Sequence, residues 1–223
     1  KIIKMKKLHA LVIGATGATG LEIVKRLLKD DIFYKVTIFV RTNLENFEKN
    51  AFLFDSIIKA DAFSTEHSSK FGQLVIQDTG GRMKPANTFS SELLRKVSKK
   101  DNYNGLNSDQ VLLSIMNNPT IWYNVPLIYL KRGNDSIRKI IGLNTDIKYA
   151  PLLSFFDKKG NYKLALPLEQ AYRASVPNQF QKDFIELDRR VNLLYSAPEG
   201  KVMRIFPIPD DVNNKWVSYP ELS

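Results

Sequence analysis

Leu8-His9-Ala10-Leu11-Val12-Ile13-Gly14-Ala15-Thr16-Gly17-Ala18-Thr19-Gly20 is an apolar run that stops in three glycines spaced three apart. A buried strand that ends in such a loop and passes straight into a helix is a way to hold a dinucleotide pyrophosphate. Glycine lets backbone N–H groups approach the phosphates, and the helix N-terminus favours their negative charge. The residues that follow keep to this scheme. Over 18–29, Leu21, Ile23, Val24, Leu27 and Leu28 form one broad apolar stripe, as a helix lying on a sheet requires. Asp30 and Asp31 make a turn, and 34–40 reads as a β-branched second strand ending at Arg41. The residue just past this strand meets the adenosine ribose in a dinucleotide fold, where an acidic side chain suits a 2′-hydroxyl and an arginine suits a 2′-phosphate. Arg41 therefore points to NADP; the alternative is a surface arginine that closes a strand. Gly14, Thr16, Gly17, Ala18, Thr19, Gly20 and Arg41 make up the candidate cofactor-binding set.

From Met5 through the glycine loop to Thr37-Ile38-Phe39-Val40-Arg41, the chain resembles the start of the atypical short-chain dehydrogenase/reductase family, the NmrA-like NAD(P)-binding proteins. The resemblance implies a Rossmann-like β-α-β unit and NAD(P) binding. That family completes its cofactor site with further alternating strands and helices, and no regular alternation continues here. Typical members also carry a Tyr-x-x-x-Lys pair that moves the substrate's proton. None of the nine tyrosines has a lysine four residues on. This argues against a reductase active site and leaves nucleotide binding open.

The composition narrows the function classes. At 223 residues, with 43% hydrophobic and 25% charged side chains, the chain is long enough for a real core and is not of disordered type. No apolar run approaches the roughly 18–20 residues that cross a bilayer, so no membrane span is expected. The net charge of +10 is spread along the chain: residues 1–70 hold 12 basic and 8 acidic side chains, and the remainder 21 and 15. With no basic stripe interleaved with aromatics, a nucleic-acid partner is not expected, while an anionic partner of another kind stays open. The absence of cysteine removes disulfides, thiol nucleophiles and thiolate metal sites. His9 and His67 are the whole supply of imidazole, which disfavours a histidine metal cluster or a Ser-His-Asp triad.

Beyond the second strand, 44–60 sets Phe47, Ala51, Phe54 and Ile58 on one helical face. The pattern then changes. Residues 71–78 read as a strand, 79–81 as a turn and 82–85 as an extended basic stretch. A helix is expected over 89–98 with Thr88 as N-cap. Asn107 and Gln110 fit a capping box opening a helix over 109–116. The apolar run 122–130 contains Pro126 and reads as an edge strand or irregular. Residues 135–141 predict a short helix with Gly142 at C′. Residues 152–156 read as a strand, 157–160 as a turn, and Pro167 sits in the first turn of a helix to Ala174. The longest helix is expected over 178–195, where Phe180, Phe184, Leu187, Val191 and Leu194 make a continuous packing seam. Residues 201–206 read as a strand followed by a proline-rigidified tail. The predicted fold class is thus an α/β N-terminal unit, a partial Rossmann-like β-α-β over 1–45, then a helical junction over 46–60 and a helix-rich α+β domain over 61–223.

Two further candidates lie in that domain. Arg82 and Lys84 beside Gly80 and Gly81 read either as a small anion site, for instance for a phosphate, or as a turn that Arg82 ties to a carboxylate. His67 reads as a surface histidine near a helix end or as a ligand-binding imidazole.

An ordered set of motifs spans the same region: Gln77-Asp78-Thr79-Gly80-Gly81-Arg82-Met83-Lys84-Pro85-Ala86-Asn87-Thr88, the Ser91-Glu92-Leu93-Leu94-Arg95-Lys96 helix, Asp109-Gln110-Val111-Leu112-Leu113, Asn118-Pro119 with Trp122, and Phe155-Phe156-Asp157 with Tyr162-Lys163-Leu164. Together, from about residue 57 to 219, they resemble the periplasmic soluble region of system II cytochrome c biogenesis proteins, the ResB/CcsA fusion type of Bacteroidetes-like bacteria. The resemblance implies a non-catalytic extramembrane domain fused to an incomplete NAD(P)-binding unit. It implies as partners the membrane-embedded remainder of a cytochrome c assembly protein and apocytochrome c. It implies the periplasm-facing side of the inner membrane for 57–219, and haem as the cargo of the whole protein, which would make His67 a candidate haem ligand and Arg82 with Lys84 a candidate site for a haem propionate. The first resemblance implies instead a cytoplasmic NADP-dependent reductase or nucleotide sensor. A purely structural interaction module is a third alternative.

Overall fold

The computed structural model describes residues 8–13, 23, 26, 27, 33–39, 58, 59, 62–78 and 80–222. The chain divides into two compact units, Lys1–Asp61 and Ala62–Ser223.

In the first unit, β1 (Leu8–Ile13) and β2 (Phe33–Phe39) pair in parallel, with Ala10 opposite Val36 and Ile13 opposite Phe39. Parallel neighbours cannot be joined by a tight hairpin and need a crossover between them. Ile23, Arg26 and Leu27 are helical, and Ile23 is 45% exposed, so it stands outside the buried stripe that the spacing predicts. Of the expected helix over 44–60, Ile58 and Lys59 are described; both are helical and Ile58 is buried. The glycine loop and Arg41 lie outside the described residues.

The second unit opens with α1 (Thr65–Gly72), which Ser64 caps by accepting the His67 N–H at 3.1 Å. This helix absorbs Phe71 and Gly72, expected as strand, and leaves only Val75–Gln77 for β3. Local capping decides the difference: the Gln73 and Leu74 N–H groups bond back to the Lys70 and Phe71 carbonyls. β4 (Met83–Pro85) returns antiparallel to β3, with Ile76 opposite Lys84.

α2 (Ala86–Ser98) follows β4 directly, with Pro85 at the N-cap position. It therefore starts ahead of Thr88, whose hydroxyl donates to Asn87 Oδ1 at 3.2 Å instead of capping. β5 (Asn102–Tyr103) and β6 (Leu106–Asn107) form a hairpin that feeds α3 (Ser108–Asn117). The capping box predicted there is complete: Asn107 Oδ1 accepts from Gln110 N–H at 2.9 Å, and Gln110 Oε1 from Asn107 N–H at 3.1 Å. α4 (Pro119–Trp122) takes the start of the run expected to be extended, and only Ile128–Tyr129, past Pro126, forms a strand, β7.

α5 (Asp135–Ile141) ends on Gly142 in the left-handed region, and β8 (Tyr149–Ala150) pairs antiparallel with β7. The loop carrying α5 is held by the buried Arg138. Its guanidinium donates to the carbonyls of Ile147 at 2.8 Å, Lys131 at 3.0 Å and Leu130 at 3.2 Å. A buried charge is tolerated when its donors are satisfied in this way.

Leu152–Phe155 is a 3-10 turn and not the expected strand. Pro151 precedes it, and the Ser154 hydroxyl donates to the Pro151 carbonyl at 2.6 Å, so local bonds override the apolar, strand-like composition. α6 (Ala165–Arg173) and α7 (Gln179–Ser196) pack on each other, and α7 also packs against α2. Within the predicted seam Phe184, Leu187, Val191 and Leu194 are buried, whereas Phe180 at the end is 48% exposed. Of the expected strand over 201–206, Lys201 and Val202 are turn, Arg204 makes a single bridge to Gln77, and only Phe206 is strand. β9 (Phe206–Pro207) pairs with β10 (Trp216–Val217), so the proline-containing tail folds back as a hairpin.

The core of this unit gathers around α2, which packs against α1, α3 and α7. Leu93, Leu94, Leu112, Ile115, Trp122, Phe155 and Phe184 are all essentially inaccessible. Each such side chain contributes about 1.5–3 kcal/mol by leaving water.

Candidate functional site

The densest charged cluster of the second unit is built on the β3–β4 turn. Asp78 follows β3 directly, and its Oδ1 accepts the N–H of Gly80 at 2.8 Å and of Arg82 at 3.0 Å. This is the turn that aspartate makes with its own downstream backbone, and Gly81 completes it at φ +83°, a conformation that suits glycine. The other oxygen, Oδ2, lies 2.9 Å from Lys84 Nζ and 3.4 Å from Arg82 Nη2. Lys84 in turn reaches Glu92 Oε2 on α2 at 3.1 Å.

The hydrogen bond from Lys84, then the Arg82 N–H, holds the Asp78 carboxyl well below the usual carboxylate range, against the opposing effect of burial. The same contact with Asp78 raises Lys84 above its ordinary value. Of the two cations singled out in the sequence, Lys84 is thus enclosed between two carboxylates. Arg82 keeps a side chain that is 79% exposed.

From this turn a groove runs between α2 and α7. At the turn end it is a cleft of about 290 Å³, with Arg82, Lys84 and Lys96 at its edges and Phe89, Leu193 and Val202 as apolar lining. A second cleft of about 230 Å³ adjoins it, sharing Lys96 and Leu193 and adding Lys99, Glu186, Arg189 and Arg190. The carboxylates of the lining are engaged. Asp78 and Glu92 hold Lys84, and Glu186 pairs with the buried Arg190 and lies 3.9 Å from Lys99. Arg190 also donates to the Tyr129 carbonyl at 3.1 Å and lies over the Tyr129 ring. Lys96 and Arg189 are exposed and have no ion-pair or hydrogen-bond partner among the described residues.

His67 is elsewhere, on α1, exposed and stacked on Phe63 with ring centroids 5.2 Å apart. A second polar centre ties Tyr162 and α6 to α7: Tyr162 and the exposed Tyr172 donate to the two oxygens of the buried Asp188 at 3.1 and 3.2 Å. Burial, then the Asp188 charge, pushes the Tyr162 phenol far above its ordinary range, so it stays a proton donor. Among the described residues no group of three or more His, Cys, Asp or Glu is placed to hold a metal ion. Among them, too, no helix is long and apolar enough to cross a membrane.

Lys99 and Arg189 belong to no sequence motif, and Lys96 only closes the Ser91–Lys96 helix motif without a ligand role. Lys96 and Lys99 do sit one helical turn apart, as do Glu186 and Arg189. What no local pattern contains is that α2 and α7, far apart in the chain, would face each other.

No family model matches the chain. The chain spans about a sixth of the length of the curated relative that it matches, and since the first unit holds 61 residues, a match covering 71% of the chain must run through the second. That relative is Protein NrfI of Wolinella succinogenes, to which the chain is similar with 33% identity over 162 residues, 71% of this chain and 17% of NrfI.

Proposed function

We propose that residues 61–223 form a non-catalytic extramembrane domain of a cytochrome c biogenesis protein, facing the periplasm and docking apocytochrome c while a membrane-embedded remainder handles haem. The observation that carries this reading is the similarity to NrfI, which runs through the unit whose ordered motifs resemble the soluble region of system II proteins. The site geometry favours binding over catalysis. The carboxylates of the groove are engaged in ion pairs.

Calorimetric titration of the 223-residue chain with a haem-free, CxxCH-bearing apocytochrome c tests the reading. Saturable binding is the expected result. Equal binding to an unrelated unfolded polypeptide of the same charge contradicts it. Haem added alone should give the same Soret response in the wild type and in His67→Ala, because haem handling is assigned to the remainder of the protein.

A second reading concerns the first unit. The parallel pairing of β1 and β2 is the arrangement from which a dinucleotide site is built. It supports NADP binding at Gly14, Thr16, Gly17, Ala18, Thr19, Gly20 and Arg41. Saturable enhancement of NADPH fluorescence, lost in Gly17→Asp and in Arg41→Glu, is the expected outcome. A flat titration removes this reading and leaves the first untouched.

A further inference from the structure

We propose that the groove between α2 and α7 is a docking site for an extended, acidic polypeptide segment. The inference rests on the groove alone and holds whether or not the partner is apocytochrome c.

The charge balance selects an anion. Asp78, Glu92 and Glu186 are each engaged by Lys84 or Arg190, so the lining carboxylates offer little to a ligand's cations. Lys96 and Arg189 lack partners among the described residues, Lys99 is held only at 3.9 Å, and Arg82 is largely exposed. These four cations line the groove from its hairpin end to its far end. Holding them near one another costs Coulomb energy, which an acidic occupant would turn into attraction.

The dimensions select a chain segment. Along α2 and its C-cap the lining runs from Phe89 to Lys99, about 15 Å at 1.5 Å per residue. An extended polypeptide covers that length with roughly four or five residues. Its alternate side chains would meet the cationic edges, and the others the apolar floor of Phe89, Leu193 and Val202. A lone inorganic anion needs donors converging on a point, whereas these cations are distributed along two helices and a hairpin. A lipid surface is flat, and this floor is recessed. A second copy of a chain carrying +10 would be repelled.

The test is fluorescence anisotropy of a labelled peptide of alternating glutamate and alanine, titrated with the full chain at low salt. The wild type should bind saturably. Lys96→Glu with Arg189→Glu, both at exposed positions, should weaken binding at least tenfold. Lys139→Glu with Lys158→Glu makes the same change of net charge away from the groove and should alter it less than twofold. Equal loss in the two double variants overturns the proposal, because only the overall field would then be acting. So does the lack of saturable binding, full displacement by inorganic phosphate at constant ionic strength, or groove-dependent binding to phosphatidylglycerol vesicles without peptide binding. Apocytochrome c binding that survives any of these failures leaves the proposed function standing and removes only the groove as its place.

Discussion

Lys84 Nζ lies 2.9 Å from Asp78 Oδ2 and 3.1 Å from Glu92 Oε2, so one ammonium joins the β3–β4 turn to α2. Its side chain is only 12% exposed. Lys84→Met keeps the aliphatic stem and leaves two carboxylates close together without their shared cation. The expected loss is about 2 kcal/mol, the scale of removing one partner from a partly buried charged pair. Urea unfolding should show it as a lower midpoint with an unchanged slope.

Asp78 makes this contribution pH-dependent. Its folded pKa is depressed, so its stabilisation is complete above the unfolded aspartate value near pH 4 and is lost as pH falls towards the folded value. Asp78→Asn should therefore be less stable than the wild type by a constant margin between pH 7 and 5, a margin that narrows below about pH 4. Unfolding midpoints measured across that range check it. A margin that grows on acidification would show that Asp78 is not held ionised by the fold.

The indole N–H of Trp122 donates to Ser114 Oγ at 2.9 Å in a fully buried setting. Ser114→Ala strands that donor away from water and should cost about 1–2 kcal/mol. Trp122→Phe combined with Ser114→Ala should lose less than the two single changes together, since the second change no longer orphans a donor. Thermal unfolding of the four proteins measures the coupling.

Gly142 closes α5 at φ +79°. A Cβ there meets nothing within 4 Å, so the cost of Gly142→Ala is conformational alone, about 1 kcal/mol. Calorimetry should show a lower Tm with no change of secondary structure.

The features that were legible in the sequence are those decided within one turn of chain. The Asn107–Gln110 capping box and the α5 helix with its glycine depend on neighbours three or four residues away, and both stand where the spacing puts them. The misreadings have the opposite origin. Residues 152–156 look like a buried strand by composition, yet Pro151 starts a 3-10 turn over Leu152–Phe155, and only Phe156 pairs, in a single antiparallel bridge to Tyr162. At 201–206 a continuous strand is replaced by single contacts: Met203 is buried, Arg204 makes one bridge to Gln77, and the paired strand covers only Phe206–Pro207. The site divides in the same way. Arg82 and Lys84 stood out beside their glycines, and the local bond from the Arg82 N–H to Asp78 follows from a turn aspartate. The pairing of Lys84 with Glu92 and the alignment of Lys96 with Arg189 come from packing a hairpin and two distant helices, which no periodicity encodes.

The central proposal is that the second unit receives apocytochrome c, and the similarity to NrfI together with the ordered motifs supports it. Calorimetric titration of the full chain with apocytochrome c, alongside the same polypeptide already carrying haem and an unrelated unfolded polypeptide of equal charge, tests it most directly. The expected result is saturable, near-stoichiometric binding of the haem-free form, at least tenfold tighter than either comparison. Identical isotherms for all three, or no binding of the haem-free form, would contradict it.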